Sequence, residues 1–405
     1  MTGATFDLVV IGGGMTGLAL ACAVAGEDLQ VLLVEHGSLT ATTAPPFDGR
    51  VTAIAPGSRR LLEAIGVWPR LARQAQPILD IEVGEHAALR VHYDHRQVGT
   101  EPLGHIVENR LIRGALLARA EELRRTSLVV AAPDRVARLD RRGAAVGIRL
   151  DGGLAARAAL CAAAEGRNSV TRAAAGVGVT RWDYRQTGMV ATIGHARPHH
   201  GLAVERFFPS GPFAILPMTG NRSSIVWAAE NRLARDLIAL DDAAFMDELA
   251  ERFGDQLGAL KLAGPRWHYP LSMVQAESYT AQRLALVGDA ARAIHPIAGQ
   301  GWNLALRDVA ALAELVVDAK RLGLDLGGRH VLDRYERWRR FDSLALIAIT
   351  DGLNRLFAND LLPLRLAREL GLGLVERIPP LKGFFMRHAM GLLGDLPRVM
   401  RDPAS

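Results

Sequence analysis

The stretch VVIGGGMTGLALACAVAGEDLQVLLVE, residues 9–35, limits the chain to a small set of folds. Its opening apolar run does not alternate with polar residues, so it reads as a strand buried on both faces of a parallel sheet. Gly12-x-Gly14-x-x-Gly17 follows, then a helix of small apolar residues, then a second buried strand ending at Glu35. Gly12 permits a tight turn, Gly14 lets the backbone approach a pyrophosphate, and Gly17 lets the helix pack on the strand. The helix N-terminus offers free N–H groups and partial positive charge to an anion. Glu35 lies 18 residues past Gly17, where a carboxylate can accept both hydroxyls of a ribose. A dinucleotide is expected here, with nicotinamide and flavin both open.

A second loop bears on that choice. In ALVGDAARAIHPIAGQGWNLAL, residues 285–306, an apolar strand ends at Gly288-Asp289. An aspartate at that place can bind ribitol or ribose hydroxyls. His295-Pro296 and the turn Gly299-Gln300-Gly301 then feed a helix starting near Asn303. This second helix N-terminus aims N–H groups at an anion, and a reduced isoalloxazine is anionic around its pyrimidine edge. Two such loops tip the expectation toward FAD. A third stretch, CAAAEGRNSVTR at 161–172, sets an acid-glycine pair at a strand end, followed by Asn168, Ser169 and Arg172. It reads as a polar turn near a cofactor. A single nucleotide fingerprint argues against a resident nicotinamide domain, and no Cys-x-x-Cys pair offers dithiol exchange.

With 405 residues, the chain exceeds one simple core, so two domains or one domain with a large insertion are expected. Apolar residues at 49% and charged residues at 22% are ordinary for a globular protein, so disorder is not the expected state. The 48 basic against 43 acidic residues leave +5 without a long basic block, and aromatics are only 5%, so nucleic acid is not an expected partner. Cys22 and Cys161 sit in apolar runs without metal spacing and read as reduced core residues; no metal is expected. The chain enters a strand at once, without the regions of a signal peptide, and holds no apolar run long enough for a bilayer. The expected location is cytoplasmic.

Along the chain, helical patterns appear around APGSRRLLEAIGVWPRLA and HIVENRLIRGALLARAEEL, with short strands over 78–93. From about 181 to 275 several short strands with one helix, around DAAFMDELAERFG, read as an inserted antiparallel sheet. The expected division is an FAD-binding domain in three parts (1–75, 101–180, 276–325), substrate-domain pieces at 76–100 and 181–275, and a helical region at 326–405.

These motifs, in this order, resemble those of class A flavoprotein monooxygenases, which share the p-hydroxybenzoate hydroxylase fold. Within that class the chain is most similar to the ubiquinone-biosynthesis hydroxylases. The likeness is carried by FDGRVTAIAPGSRRLLEAIGVW, HIVENRLIRGALL, RWDYRQTGMVATI, GLAVERFFPSGPFAILPM, SSIVW, residues 285–306 and PPLKGFFMRHAMGLLG. The implied fold is α/β: a Rossmann-like FAD domain, an inserted antiparallel-sheet substrate domain and a C-terminal helical region. The implied activity is hydroxylation of a polyprenylated phenol in ubiquinone synthesis, using O2 and transiently bound NAD(P)H through a flavin hydroperoxide. By the same resemblance Gly12, Gly14, Gly17 and Glu35 hold the ADP part of FAD, Arg50 approaches the flavin, and Arg110 meets the pyrophosphate. Asp289 binds ribityl or ribose hydroxyls, and Pro296, Gly299, Gln300, Gly301 and Asn303 line the isoalloxazine.

No catalytic side chain is assigned, since the flavin carries the chemistry; Tyr184, His199, His268 and Tyr269 are the candidates that could polarise a phenol. The chain departs from the family pattern at three places. Ala164-Glu165-Gly166 replaces the usual Ala-Asp-Gly, Arg292 stands where His is common, and Ala305 stands where Gly is common. The stretch from Arg377 to Arg401 mixes Phe384, Phe385, Met386, Met390, Leu392 and Leu393 with Lys382, Arg387, Arg398 and Arg401. It reads equally as a basic amphipathic helix on the inner face of the cell membrane or as a helix packed on the core. A ubiquinone-biosynthesis complex is an implied partner. Hydroxylation of a soluble aromatic compound, or a non-catalytic FAD-binding scaffold in such a complex, are the alternatives.

Overall fold

The computed structural model describes residues 4–39, 49–86, 89–97, 99–294, 299, 301–357, 378, 380, 382–383, 386, 390 and 394–402. Strand Ala4–Ile11 lies inside a mainly parallel sheet, in the order Leu284–Leu286, Ala155–Ala163, Ala4–Ile11, Val31–Val34, Leu128–Ala131. Leu8, Val9, Val10 and Val31 to Leu33 are wholly shielded from solvent. Helix Met15–Ala25 is buried from Gly17 to Ala25, because helices Asn109–Leu123 and Gly301–Arg321 both pack on it. Cys22 and Cys161 are free thiols in this core, and burial pushes the Cys22 thiol up to about 12. At neutral pH it stays protonated and unreactive.

A second sheet has the order Arg292–Ala293, Trp267–Ala276, Val179–His195, Arg222–Glu230, Gly211–Met218, Leu202–Phe208, Asp80–His86, Leu89–Asp94. Its pairings are antiparallel except that of Leu202–Phe208 with Asp80–His86. One face is covered by helices Asn231–Ala239 and Asp242–Phe253. Phe213, Ile215, Ile225 and Trp227 meet Leu237, Phe245, Leu249 and Phe253 there. The sequence reading expects one helix in this region and there are two. Nine residues give too few turns for Leu233, Ala234 and Leu237 to stand out as a helical stripe.

The segment HIVE also differs from its helical expectation. Gly104–Glu108 is a strand, paired on one edge with Val51–Ile54 and on the other with Gln76–Ile78, and the helix starts only at Asn109. β-branched Ile106 and Val107 gain two pairing partners there, which outweighs one more helical turn. This small sheet joins the two large ones: Ile78 and Ile106 pack with Ala203 and Met218 of the second sheet, and with Met386 and Met390. Helix Arg329–Phe357 follows the parallel half, and the buried Tyr335 hydroxyl donates to Leu286 O at 2.8 Å.

Of the C-terminal stretch, Lys382, Met386 and Met390 are buried, and the Arg398 guanidinium bonds Asp318. Phe384, Phe385, Arg387, Leu392 and Leu393 lie outside the described residues.

Candidate FAD and substrate site

The N-terminal loop is built by close backbone approach. Gly12 has φ +105°, and a Cβ there would sit 2.6 Å from Ala164 O. A Cβ on Gly17 would sit 1.8 Å from Gly12 O, so helix and strand could not pack as they do. At Gly14 a Cβ meets nothing within 4 Å. The open space lies at the helix N-terminus, where Gly14 is the cap and no side chain caps the first turn. Free N–H groups facing open space fit a pyrophosphate. The Glu35 carboxylate accepts from Gly13 N and, at 2.9 Å, from Gly37 N. These bonds orient it and leave lone pairs for ribose hydroxyls.

Arg110 and Arg113 lie on one face of helix Asn109–Leu123. Arg110 Nε donates to Glu108 Oε2 at 2.7 Å. Arg113 donates to Gly13 O at 3.1 Å and faces the charge of Glu35. Arg113 therefore touches the glycine loop, and the sequence reading did not name it. Its signal was the i,i+3 spacing from Arg110.

The other loop gathers a second set. Gly288 has φ +64°, and its N–H donates to buried Asp308 at 2.9 Å. Asp289 follows, with no hydrogen-bond donor on its carboxylate among the described residues. Burial pushes that carboxyl up, while Arg167 and Arg292 pull it down. A desolvated carboxylate beside a helix start, without a donor among the described residues, fits the hydroxyls of a ribityl chain. Arg167, absent from the expected set, also acts on Tyr269 together with Arg50; burial raises the Tyr269 phenol and both arginines oppose the rise. Arg167 thus acts on both Asp289 and Tyr269, and Arg50 on Tyr269.

Gly299 has φ +61°, and a Cβ there would meet Ala53 at 3.3 Å. Gly301 opens helix Gly301–Arg321. Asn303 is buried and fully engaged, accepting from Ala55 N at 2.9 Å and donating to Ala53 O at 2.7 Å. Its side chain clamps the turn to strand Val51–Ile54. Pro296, Gln300 and His295 lie outside the described residues.

The departures from the family pattern have local explanations. Glu165 Oε2 accepts from Ser169 Oγ at 2.5 Å and from Thr171 N at 3.1 Å. Its longer side chain is turned to the start of helix Val170–Ala174. Arg172 ties this turn to the second loop by donating to Ala290 O at 2.8 Å. Arg292 is buried and grips Asp308 at 2.5 and 2.9 Å, with Leu304 O at 2.9 Å. Arg339 adds a third charged contact to Asp308 at 2.8 Å. Asp308 thereby joins the Gly288 turn to two helices. Removing one partner of such a buried set typically costs about 3–5 kcal/mol. Ala305 packs beside Gly288, 3.2 Å from where its Cβ would be.

The second sheet turns the face opposite its two helices toward these loops. A Cβ on Gly49 would meet Trp267 at 2.1 Å, and Arg222 bonds Glu108 at 3.4 Å. Gly188 lies under Tyr269, with the ring 3.1 Å from a Cβ built there. Of the other candidate polar residues, His268 is exposed and Tyr184 half-buried. Both His199 nitrogens are occupied, by Met218 O at 2.7 Å and Gly201 N at 3.0 Å. Among the described residues no group of acids, histidines or cysteines could hold a metal ion.

A family profile described as an FAD binding domain matches residues 5–346. The chain is 48% identical to a ubiquinone hydroxylase, UbiL, of Rhodospirillum rubrum, covering 98% of this chain and 92% of that one. It is 35% identical to the 3-demethoxyubiquinol 3-hydroxylase of Escherichia coli, covering 97% of this chain and all of the other (100%). The crystal structure of PqsL, a probable FAD-dependent monooxygenase from Pseudomonas aeruginosa, superposes with a TM-score of 0.77 over 91% of this chain and 99% of that one. At 21% identity, that likeness shows the fold. Fold and loops together define a class A FAD-dependent monooxygenase. Within that class, the chain belongs to the ubiquinone-hydroxylase family.

Proposed function

We propose that the protein hydroxylates the aromatic ring of a polyprenylated phenol on the route to ubiquinone, with NAD(P)H as transient reductant. The observation that carries this reading is the end-to-end 48% identity to a ubiquinone hydroxylase, in a chain that carries both glycine loops. Gly12, Gly14, Gly17 and Glu35 would hold the ADP part of FAD, with Arg113 beside the pyrophosphate and Arg110 at the next turn. Asp289 would take the ribityl hydroxyls, and Gly299, Gly301 and Asn303, with Pro296 and Gln300, would shape the ring pocket. Arg50 would approach the flavin. When bound, FAD supplies the activation of O2 and the oxygen transfer.

The chain's own residues bind, orient and exclude water. The phenol would lie against the second sheet on the face opposite its two helices, where Tyr269 and Arg50 would reach it. A phenol is already electron-rich, so this chemistry needs no nucleophile and no metal.

A polyprenyl tail keeps such a substrate in the bilayer, so the protein would meet it at the inner membrane face. Among the described residues no helix is long and apolar enough to cross a membrane. Liposome flotation of the full chain and of a truncation at Arg377 tests the contact: loss on truncation supports it, equal flotation removes it. The reaction itself is tested by profiling quinone intermediates in a strain lacking the protein. An unhydroxylated polyprenyl phenol should accumulate, and an unchanged profile would refute the reading.

A further inference from the structure

We propose that Arg292 is a positioning residue for the cofactor: through Asp308 it closes the turn 288–292 and fixes Asp289 against the ribityl hydroxyls. The inference rests on the role given to Asp289 above. It gives a function to a departure from the family pattern, an arginine where histidine is common.

Two acids serve this loop, and they are in opposite states. Asp308, wholly buried on helix Gly301–Arg321, is saturated. Its Oδ2 accepts from Gly288 N at 2.9 Å and from Arg292 Nη1 at 2.5 Å. Its Oδ1 accepts from Arg292 Nη2 at 2.9 Å and from Arg339 Nε at 2.8 Å. Two donors on each oxygen fill the lone-pair sites of a carboxylate, so Asp308 has nothing left to offer a ligand. Asp289 is half-buried and has no donor on its carboxylate among the described residues. One acid holds the loop and the other is left to bind.

The same carboxylate grips both ends of the turn, at the Gly288 N–H and the Arg292 guanidinium. Between them Ala291 N donates to Gly288 O at 2.9 Å, and Arg172 donates to Ala290 O at 2.8 Å. Arg292 is also in register with Gln275 of strand Trp267–Ala276, and its guanidinium lies over the Tyr279 ring, 5.4 Å from the centre. Asp289 carries the one polar side chain between the two ends. Its place is therefore set by what its neighbours hold.

This closure calls for arginine. The planar fork meets both oxygens of Asp308 and still reaches Leu304 O at 2.9 Å. An imidazole has two nitrogens that point apart and cannot span both oxygens and that carbonyl.

Charge points the same way. Among the described residues Arg292, Arg307 and Arg339 share the carboxylates of Asp308 and Asp342, a surplus of one positive charge. Arg292 Nε and Arg339 Nη2 have no acceptor. Burial pushes the Asp289 carboxyl up, Arg167 and Arg292 pull it down, and Asp308 adds a smaller push up. An ionised Asp289 balances the surplus, and an anion is the stronger acceptor for a hydroxyl.

The test is a double-mutant cycle on FAD affinity. Release of FAD from the full-length holoenzyme is read by flavin fluorescence for wild type, D289N, R292Q and D289N/R292Q. D289N should weaken FAD about tenfold or more. R292Q should weaken it about tenfold with Asp289 in place and less than about twofold in the D289N background, a coupling of roughly 1 kcal/mol. A residue that only held the fold would weaken FAD by the same factor in both backgrounds. Should R292Q not fold, R292K, which keeps the charge but not the fork, takes its place in the same cycle under the same criterion. Equal factors in both backgrounds, or no loss on substituting Arg292, overturn the inference while the proposed hydroxylation stands. If D289N holds FAD as tightly as wild type, the role of Asp289 fails and takes this inference with it.

Discussion

The two faces of the inserted sheet use the same strands for opposite ends. On one face Met189, Ile193, Phe213, Ile215, Ile225 and Trp227 fill the space under two helices, and Phe213 meets Trp227 edge-on with ring centres 5.6 Å apart. On the other, Gly188 lies under Tyr269 toward the cofactor loops, and Ala203, Leu216 and Met218 pack on Ile78 and Ile106 of the small sheet. The first face is a core in the ordinary sense, where bulk is stability. The second meets the cofactor half, with Trp267 against Gly49 and Arg222 bonded to Glu108. The strands are thus held from behind, so that the front can be shaped by chemistry.

The largest expected effect lies on the packed face. Trp227→Ala should cost about 3–5 kcal/mol in chemical denaturation, because the surrounding rings cannot collapse into the void. A cost below 1 kcal/mol would mean that this face is not the structural one. Next comes the glycine loop at the nucleotide. Gly14→Val adds side chain into open space, so the apoprotein should melt normally while FAD affinity falls about 100-fold, or about 2.7 kcal/mol. Unchanged FAD affinity by fluorescence titration would place the pyrophosphate elsewhere. Smallest is Ala214→Leu on the front face, which should change stability by under about 1 kcal/mol and lower turnover of a prenyl phenol about tenfold. A stability loss comparable to that of Trp227→Ala would erase the contrast between the faces.

The nucleotide end of the site was legible because its chemistry is local. Strand, glycine turn, helix and Glu35 all fall within 9–35, and Gly12 and Gly17 each answer to a contact with the adjacent strand or with the loop itself. Asp289 was legible for the same reason, as an acid where a buried strand ends. Arg113 and Arg167 were not. Each acquires its place only when distant elements meet: Arg113 reaches Gly13 across 100 residues of chain, and Arg167 reaches Ser272 across 105. Arg292 looked like a fault in the pattern. Its partner Asp308 and the second arginine on that carboxylate, Arg339, lie on two later helices, and only their convergence turns a departure into a brace for the Gly288 turn.

The most direct measurement of the whole account is isotope incorporation. Purified protein reconstituted with FAD is given NAD(P)H, a short-chain prenyl phenol and isotopically labelled O2, and the product is weighed by mass spectrometry. The account predicts one labelled oxygen on the ring and NAD(P)H oxidation that depends on the phenol. Failure to bind FAD, or NAD(P)H oxidation with no labelled ring product, would contradict it.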